Sequence, residues 1–174
     1  MKTKFNQSKL KLAIVSAIMA CSAGLSATSH AATASDNMAV STLVANSCTI
    51  SAGEMQFATY DTTSGDAQTG TAIIATTCTL GGAMVLTLGE GASPSLSSSD
   101  TVPVRQMIGA GGNLLYDLYT DLAHTTVWGN TAGTGRAFTA TGGTDNITVY
   151  GLIPEEQPVG EGSFADSVAV TLTY

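Results

Sequence analysis

From Met38 to Tyr174, apolar side chains return at every second position, segment after segment. Met38, Val40, Thr42 and Val44 alternate with Ala39, Ser41, Leu43 and Ala45, and Cys48 and Ile50 keep the phase. Ile74, Thr76, Cys78 and Leu80 form a second run, and Met84, Leu86 and Leu88 a third. Residues 114–119 are apolar on both faces, Ile147 and Val149 mark another run, and the chain closes on Val168, Val170, Leu172 and Tyr174. Successive side chains of a strand point to opposite faces, so a period of two is the pattern of a strand with one face in a core. Between the runs lie turn segments rich in Gly, Ser and Thr, such as 62–66, 89–94, 109–113, 129–135 and 142–143. The pattern predicts six to seven strands and an all-β sandwich.

Composition supports this. Charged residues make up 11% of the chain, so the Glu and Lys that usually coat helices are scarce. Apolar residues make up 44%, too many for a disordered chain.

The charges are segregated. Lys2, Lys4, Lys9 and Lys11 precede an apolar stretch at 12–20 and then small residues ending in Ser29-His30-Ala31. This is the layout of a cleaved export leader, with the cut expected after Ala31. Ile18-Met-Ala-Cys21 loosely resembles a lipoprotein box, but Met19 stands where a small residue usually lies. Beyond residue 31 the chain carries Arg105 and Arg136 against thirteen acids, a formal charge of −11, with no lysine. Nucleic acid is thereby excluded as a partner, and an anionic membrane surface is disfavoured. No later run reaches 18 apolar residues, so no transmembrane helix is expected.

Two cysteines follow the leader, Cys48 and Cys78. An even count in an exported chain reads as a disulfide, here tying two neighbouring strands inside the core. Closing a loop of about 30 residues contributes roughly 3–4 kcal/mol on the loop-entropy model. Two buried thiols are the alternative. Zinc is a weaker one, because no Cys-x-x-Cys pair is present and only His30 and His124 exist.

No catalytic constellation emerges, and no small-molecule substrate is expected. Gly-x-Ser-x-Gly is absent, and nothing in the sequence sets a base beside a nucleophile. The run Gly129–Gly135 lacks the lysine of a phosphate loop and reads as a flexible hairpin tip. Asp117 and Asp121 read as turn carboxylates rather than calcium ligands, and Trp128 as packing at a sandwich edge. No enzyme activity, cofactor or metal is expected.

Four stretches carry a family resemblance. They are Val40-Ser-Thr-Leu-Val-Ala-Asn-Ser-Cys48-Thr-Ile50, Gln56-Phe-Ala-Thr-Tyr-Asp61, Leu114-Leu-Tyr-Asp-Leu-Tyr-Thr-Asp121 with Val127-Trp-Gly129, and Val149-Tyr-Gly-Leu-Ile-Pro154 with Gly162–Tyr174. In this order they resemble spore coat protein U-type domains, the family that includes the subunits of archaic chaperone–usher pili. Asn130 departs from it, since the family commonly has an acid after the glycine.

The resemblance implies an incomplete immunoglobulin-like β-sandwich lacking its last strand, completed in trans by a donor strand. It implies a periplasmic chaperone that lends a strand first, an outer-membrane usher, and identical or related subunits as final partners. It also implies export through the periplasm to a surface pilus that serves attachment and biofilm formation. On this reading 1–31 is the signal peptide, 32–45 the N-terminal donor-strand extension and 46–174 the pilin domain. The domain ends at Tyr174 directly after a strand, and a single domain suits a stalk subunit better than a tip adhesin. The face carrying Met38, Val40, Thr42 and Val44 is the more apolar and is expected to enter the neighbour's groove. Val168, Val170, Leu172 and Tyr174 are the expected acceptor and chaperone contacts.

Rival classes are a secreted or lipid-anchored ligand-binding sandwich, an enzyme on the same fold, and a small outer-membrane β-barrel. The barrel fits the alternating C-terminal strand, but nine aromatics after residue 31 are too few for two girdles.

Overall fold

The computed structural model describes residues 31–174. The expected leader, with Cys21, lies outside the described residues except for Ala31. All strands fall in a unit spanning Thr42–Tyr174, and the first of them starts at Cys48. Residues 31–47 form no strand and are exposed, with Met38 at 86% and Val40 at 87%.

The described residues contain nine strands: β1 (Cys48–Ala52), β2 (Gln68–Cys78), β3 (Ala83–Leu88), β4 (Arg105–Gly109), β5 (Gly112–Tyr119), β6 (Arg136–Thr139), β7 (Thr144–Ile153), β8 (Phe164–Ala165) and β9 (Val170–Thr173). This corrects the expected six to seven. β4 and β6 are short, and β4 turns tightly into β5 where Gly109 pairs with Gly112. A turn alone was expected at 109–113.

One sheet runs β1-β2-β7-β5-β4-β8 and the other β6-β3-β9, and every pairing is antiparallel. The final stretch crosses from one sheet to the other, pairing first with β4 as β8 and then with β3 as β9. The fold is all-β with two packed sheets, and the core between them is filled by Ile74, Leu86, Leu118 and Val149, each on the inward phase of its strand.

Trp128 is fully buried in this core rather than at an edge, and its indole N–H donates to Leu86 O at 2.9 Å. Burial of so large a ring requires a partner for its one polar atom, and the β3 carbonyl supplies it.

Cys48 and Cys78 stand directly opposite each other on β1 and β2 and are bonded, as the sequence led us to expect. Met84 Sδ lies 3.6 Å from Cys48 Sγ, an apolar contact that closes a second small core with Ala140. The bridge fixes the register of an edge strand that has only one neighbour.

Candidate functional site

Three strands cannot cover six. β9 pairs with β3 alone, so its other edge carries unpaired backbone groups. On β1, Ile50 shares the inward phase of Cys48, yet it is 41% exposed because no strand of the second sheet lies over it. Beside this gap the core opens into a groove of about 1180 Å³. Its floor is the inner face of the large sheet, with Ile74, Leu114, Leu118 and Val149. One wall is the chain from Ala52 to Thr62, and the other runs from Val159 to Val170.

The first wall leaves the sheet just after Gly53, whose N–H donates to Ile73 O at 2.8 Å. Phe57 then lies over β7 at Gly151, where an added Cβ would meet Phe57 Cζ at 2.7 Å, far inside contact distance. Tyr60 pins the end of the wall. Its hydroxyl donates to Pro154 O at 2.9 Å and accepts from Gln157 N–H at 2.9 Å. Gln157 in turn stands in for a missing strand at Leu115. Its Oε1 accepts from Leu115 N–H at 2.7 Å and its Nε2 donates to Leu115 O at 2.9 Å. Tyr60→Phe should leave the Gln157 backbone N–H unpaired, while Pro154 O keeps the Gln157 Nε2 donor at 3.2 Å, and should cost about 1–3 kcal/mol. The check is a lowered thermal unfolding midpoint with the disulfide intact.

The second wall alternates strictly. Phe164, Asp166, Val168, Val170 and Leu172 are half-buried, and the residues between them are exposed. Val168 and Val170 line the groove, whereas Leu172 packs into both core clusters. Tyr174 keeps the phase but is 58% exposed, because the pairing with β3 ends at Thr173. Of the four C-terminal residues singled out from the sequence, two therefore face the groove directly.

Two charged groups stand where the sequence suggested none. Arg105 is completely buried behind the groove, on β4. Its Nε donates to Gly89 O at 2.8 Å, and its Nη2 to Leu88 O at 3.0 Å and Trp128 O at 2.7 Å. Burial lowers its pKa, and Tyr116, Asp117 and Asp166 act against that shift. Asp166, on the groove wall, accepts from Tyr116 O–H at 2.6 Å and from Ala92 N–H at 2.8 Å. Burial, and then Asp166, push the Tyr116 phenol well above its ordinary pKa. Burial also raises the Asp117 carboxyl, with Arg105 opposing.

Little of this suits catalysis. His124 packs edge-on against Tyr119 and Tyr150, with ring centroids 5.1 and 6.5 Å away, and no described hydroxyl is hydrogen-bonded to it. Among the described residues, no cluster of three or more His, Cys, Asp or Glu could hold a metal. Both Asp121 oxygens are already taken by the Thr125 and Thr126 backbone N–H groups. What the arrangement can do is accept a β-strand. It offers an apolar floor, an unpaired edge and a gap in the smaller sheet.

A family model described as Spore Coat Protein U domain matches residues 34–171. Protein U of Myxococcus xanthus is 35% identical over 176 residues, covering 95% of this chain and 98% of its own length. Among solved structures, the CsuC–CsuE chaperone–tip adhesion subunit pre-assembly complex, from archaic chaperone–usher Csu pili of Acinetobacter baumannii, matches with a TM-score of 0.56. Identity there is 18% over 75% of this chain, a likeness of fold. The chain spans 40% of the length of the solved chain it matches.

Proposed function

Because the chain belongs to the Spore Coat Protein U domain family, we propose that it is a structural subunit of an archaic chaperone–usher pilus, polymerising by donor-strand exchange. One observation carries this reading. The same chain has an open groove beside the free edge of β9 and an alternating apolar run at Met38–Val44 whose side chains are exposed. An unpaired edge over an exposed core promotes aggregation if left bare. The run at the N-terminus is what a second copy needs to cover it.

In the periplasm a chaperone strand fills the groove first. At the usher, the extension of the next subunit replaces it, and backbone pairing with inward side chains holds the two subunits together. The step is an exchange of non-covalent strands and needs no nucleophile, metal or cofactor. The product is a surface fibre for attachment and biofilm formation.

Electron microscopy of the protein secreted with its chaperone and usher should show fibres. Deleting Ala34 to Thr42 should leave a folded subunit bound to chaperone that forms none, since the deletion removes no strand of the domain. Fibres of normal length from the deletion variant would show that this segment is not the donor.

A further inference from the structure

The groove wall contains one residue that does not belong on an apolar face. Phe164, Val168 and Val170 face inward in steps of two, and Asp166 occupies the position between them. Its carboxylate has about four acceptor sites. Tyr116 O–H and Ala92 N–H fill two of them. A strand laid over this wall removes water from the remaining sites, and an uncompensated carboxylate in such a place is strongly unfavourable. The incoming strand must therefore bring a hydrogen-bond donor to this one position.

The alternating face of the N-terminal segment carries one donor side chain. Met38, Val40 and Val44 have none, and Thr42 has a hydroxyl. We propose that Asp166 sets the register of the inserted strand by accepting a hydrogen bond from Thr42 of a neighbouring copy. This inference rests on the donor-strand reading above and adds to it the residue pair that fixes the alignment.

The rest of the alignment follows from counting. Every strand pair in the domain is antiparallel. An antiparallel strand with Thr42 opposite Asp166 places Val44 opposite Phe164, Val40 opposite Val168 and Met38 opposite Val170. Each apolar side chain then meets an apolar one. A slip of two residues either way keeps the same face inward but puts Val40 or Val44 against the carboxylate. Hydrophobicity alone distinguishes these registers poorly, because the face is nearly uniform, whereas one polar pair distinguishes them sharply. A single buried polar residue fixing the register of an apolar interface is an established device in coiled coils.

The test uses fibres assembled from the full chain. Thr42 lies outside every strand and is exposed, so its variants leave the subunit fold alone. Val40→Cys combined with Val168→Cys should cross-link neighbouring subunits on oxidation, and Val40→Cys with Val170→Cys should not. Adding Thr42→Val, which keeps the shape and removes the donor, should reduce the first cross-link and let the second appear. It should also lower the temperature at which unboiled fibres dissociate by about 5 °C. Thr42→Ser should behave as the parent. Unchanged cross-links and dissociation temperature in Thr42→Val would overturn the lock while leaving the pilin reading intact. Dominant Val40–Val170 cross-links in the parent would overturn the pairing of Thr42 with Asp166 while leaving the donor assignment intact. Fibres lacking any cross-link from Val40 would overturn both this inference and the donor assignment.

Discussion

Fibres should fail to form when Val40 is replaced by aspartate and should form normally when Ser41 is. The two positions are adjacent, but in a strand they point to opposite faces. On the proposed insertion, Val40 sits against Val168 on the apolar wall and Ser41 faces solvent. A carboxylate at Val40 would be buried without a partner, and the nearest charge on that wall is the like charge of Asp166. The expected penalty is about 3–5 kcal/mol per junction, enough to lose polymerisation outright. Val40→Asp should accumulate as chaperone-bound monomer, seen as the absence of a ladder on an unboiled gel. Ser41→Asp should give a ladder like the parent. The reverse sensitivity would exchange the inward and outward faces without touching the assignment of a donor strand.

The second large effect concerns the disulfide. Replacing both Cys48 and Cys78 by serine should sharply reduce the exported yield. The bond closes a loop with a sequence separation of 30 residues. Removing it should cost roughly 3–4 kcal/mol on the loop-entropy model. An incomplete sandwich has little stability to spare, because one edge of its core stays open until another strand arrives. Cys78 is buried beside Met84 and Ala140, so a serine hydroxyl there would add an unpaired polar group to the loss. The measurement is the periplasmic yield of the double variant with chaperone co-expressed. A yield equal to the parent would show that packing alone holds β1.

Much of the fold was legible because alternation reports burial directly. Ile74, Thr76 and Cys78 on β2, Met84, Leu86 and Leu88 on β3, and Ile147 and Val149 on β7 are all buried, as their phase requires. What escaped were short elements, and β4 for the further reason that its first inward residue is charged. β4 begins with Arg105, and a charged residue at the head of a short segment reads as surface. Only the three carbonyls of Leu88, Gly89 and Trp128, brought together from distant parts of the chain, make its burial tolerable. β6 spans four residues and has too few alternations to register.

The groove was only half visible. Val168 and Val170 stood out by their period, but the opposite wall at Ala52–Thr62 depends on Tyr60 and Gln157, which are 97 residues apart. Asp166 did leave a trace, as an acid in phase with Phe164 and Val168. Polar residues that interrupt an apolar phase are worth reading as positions where something specific must pair.

The position of the disulfide bears on how such a chain carries tension. In a fibre assembled as proposed, a pull from its ends would enter each domain through the extension and arrive at Cys48, the first residue of β1. Hydrogen-bonded pairs loaded from one end open in sequence, each bearing the full pull in turn, as a zip does. Here the first pair to be loaded, Cys48 with Cys78, is the covalent one. The pull bypasses β1 and passes into β2, an eleven-residue strand held along its length by β7. Separating two long antiparallel strands by sliding requires many bonds to break together. In such a fibre the cystine would spare β1 from being peeled off β2, and the weak point would shift toward the junction between subunits.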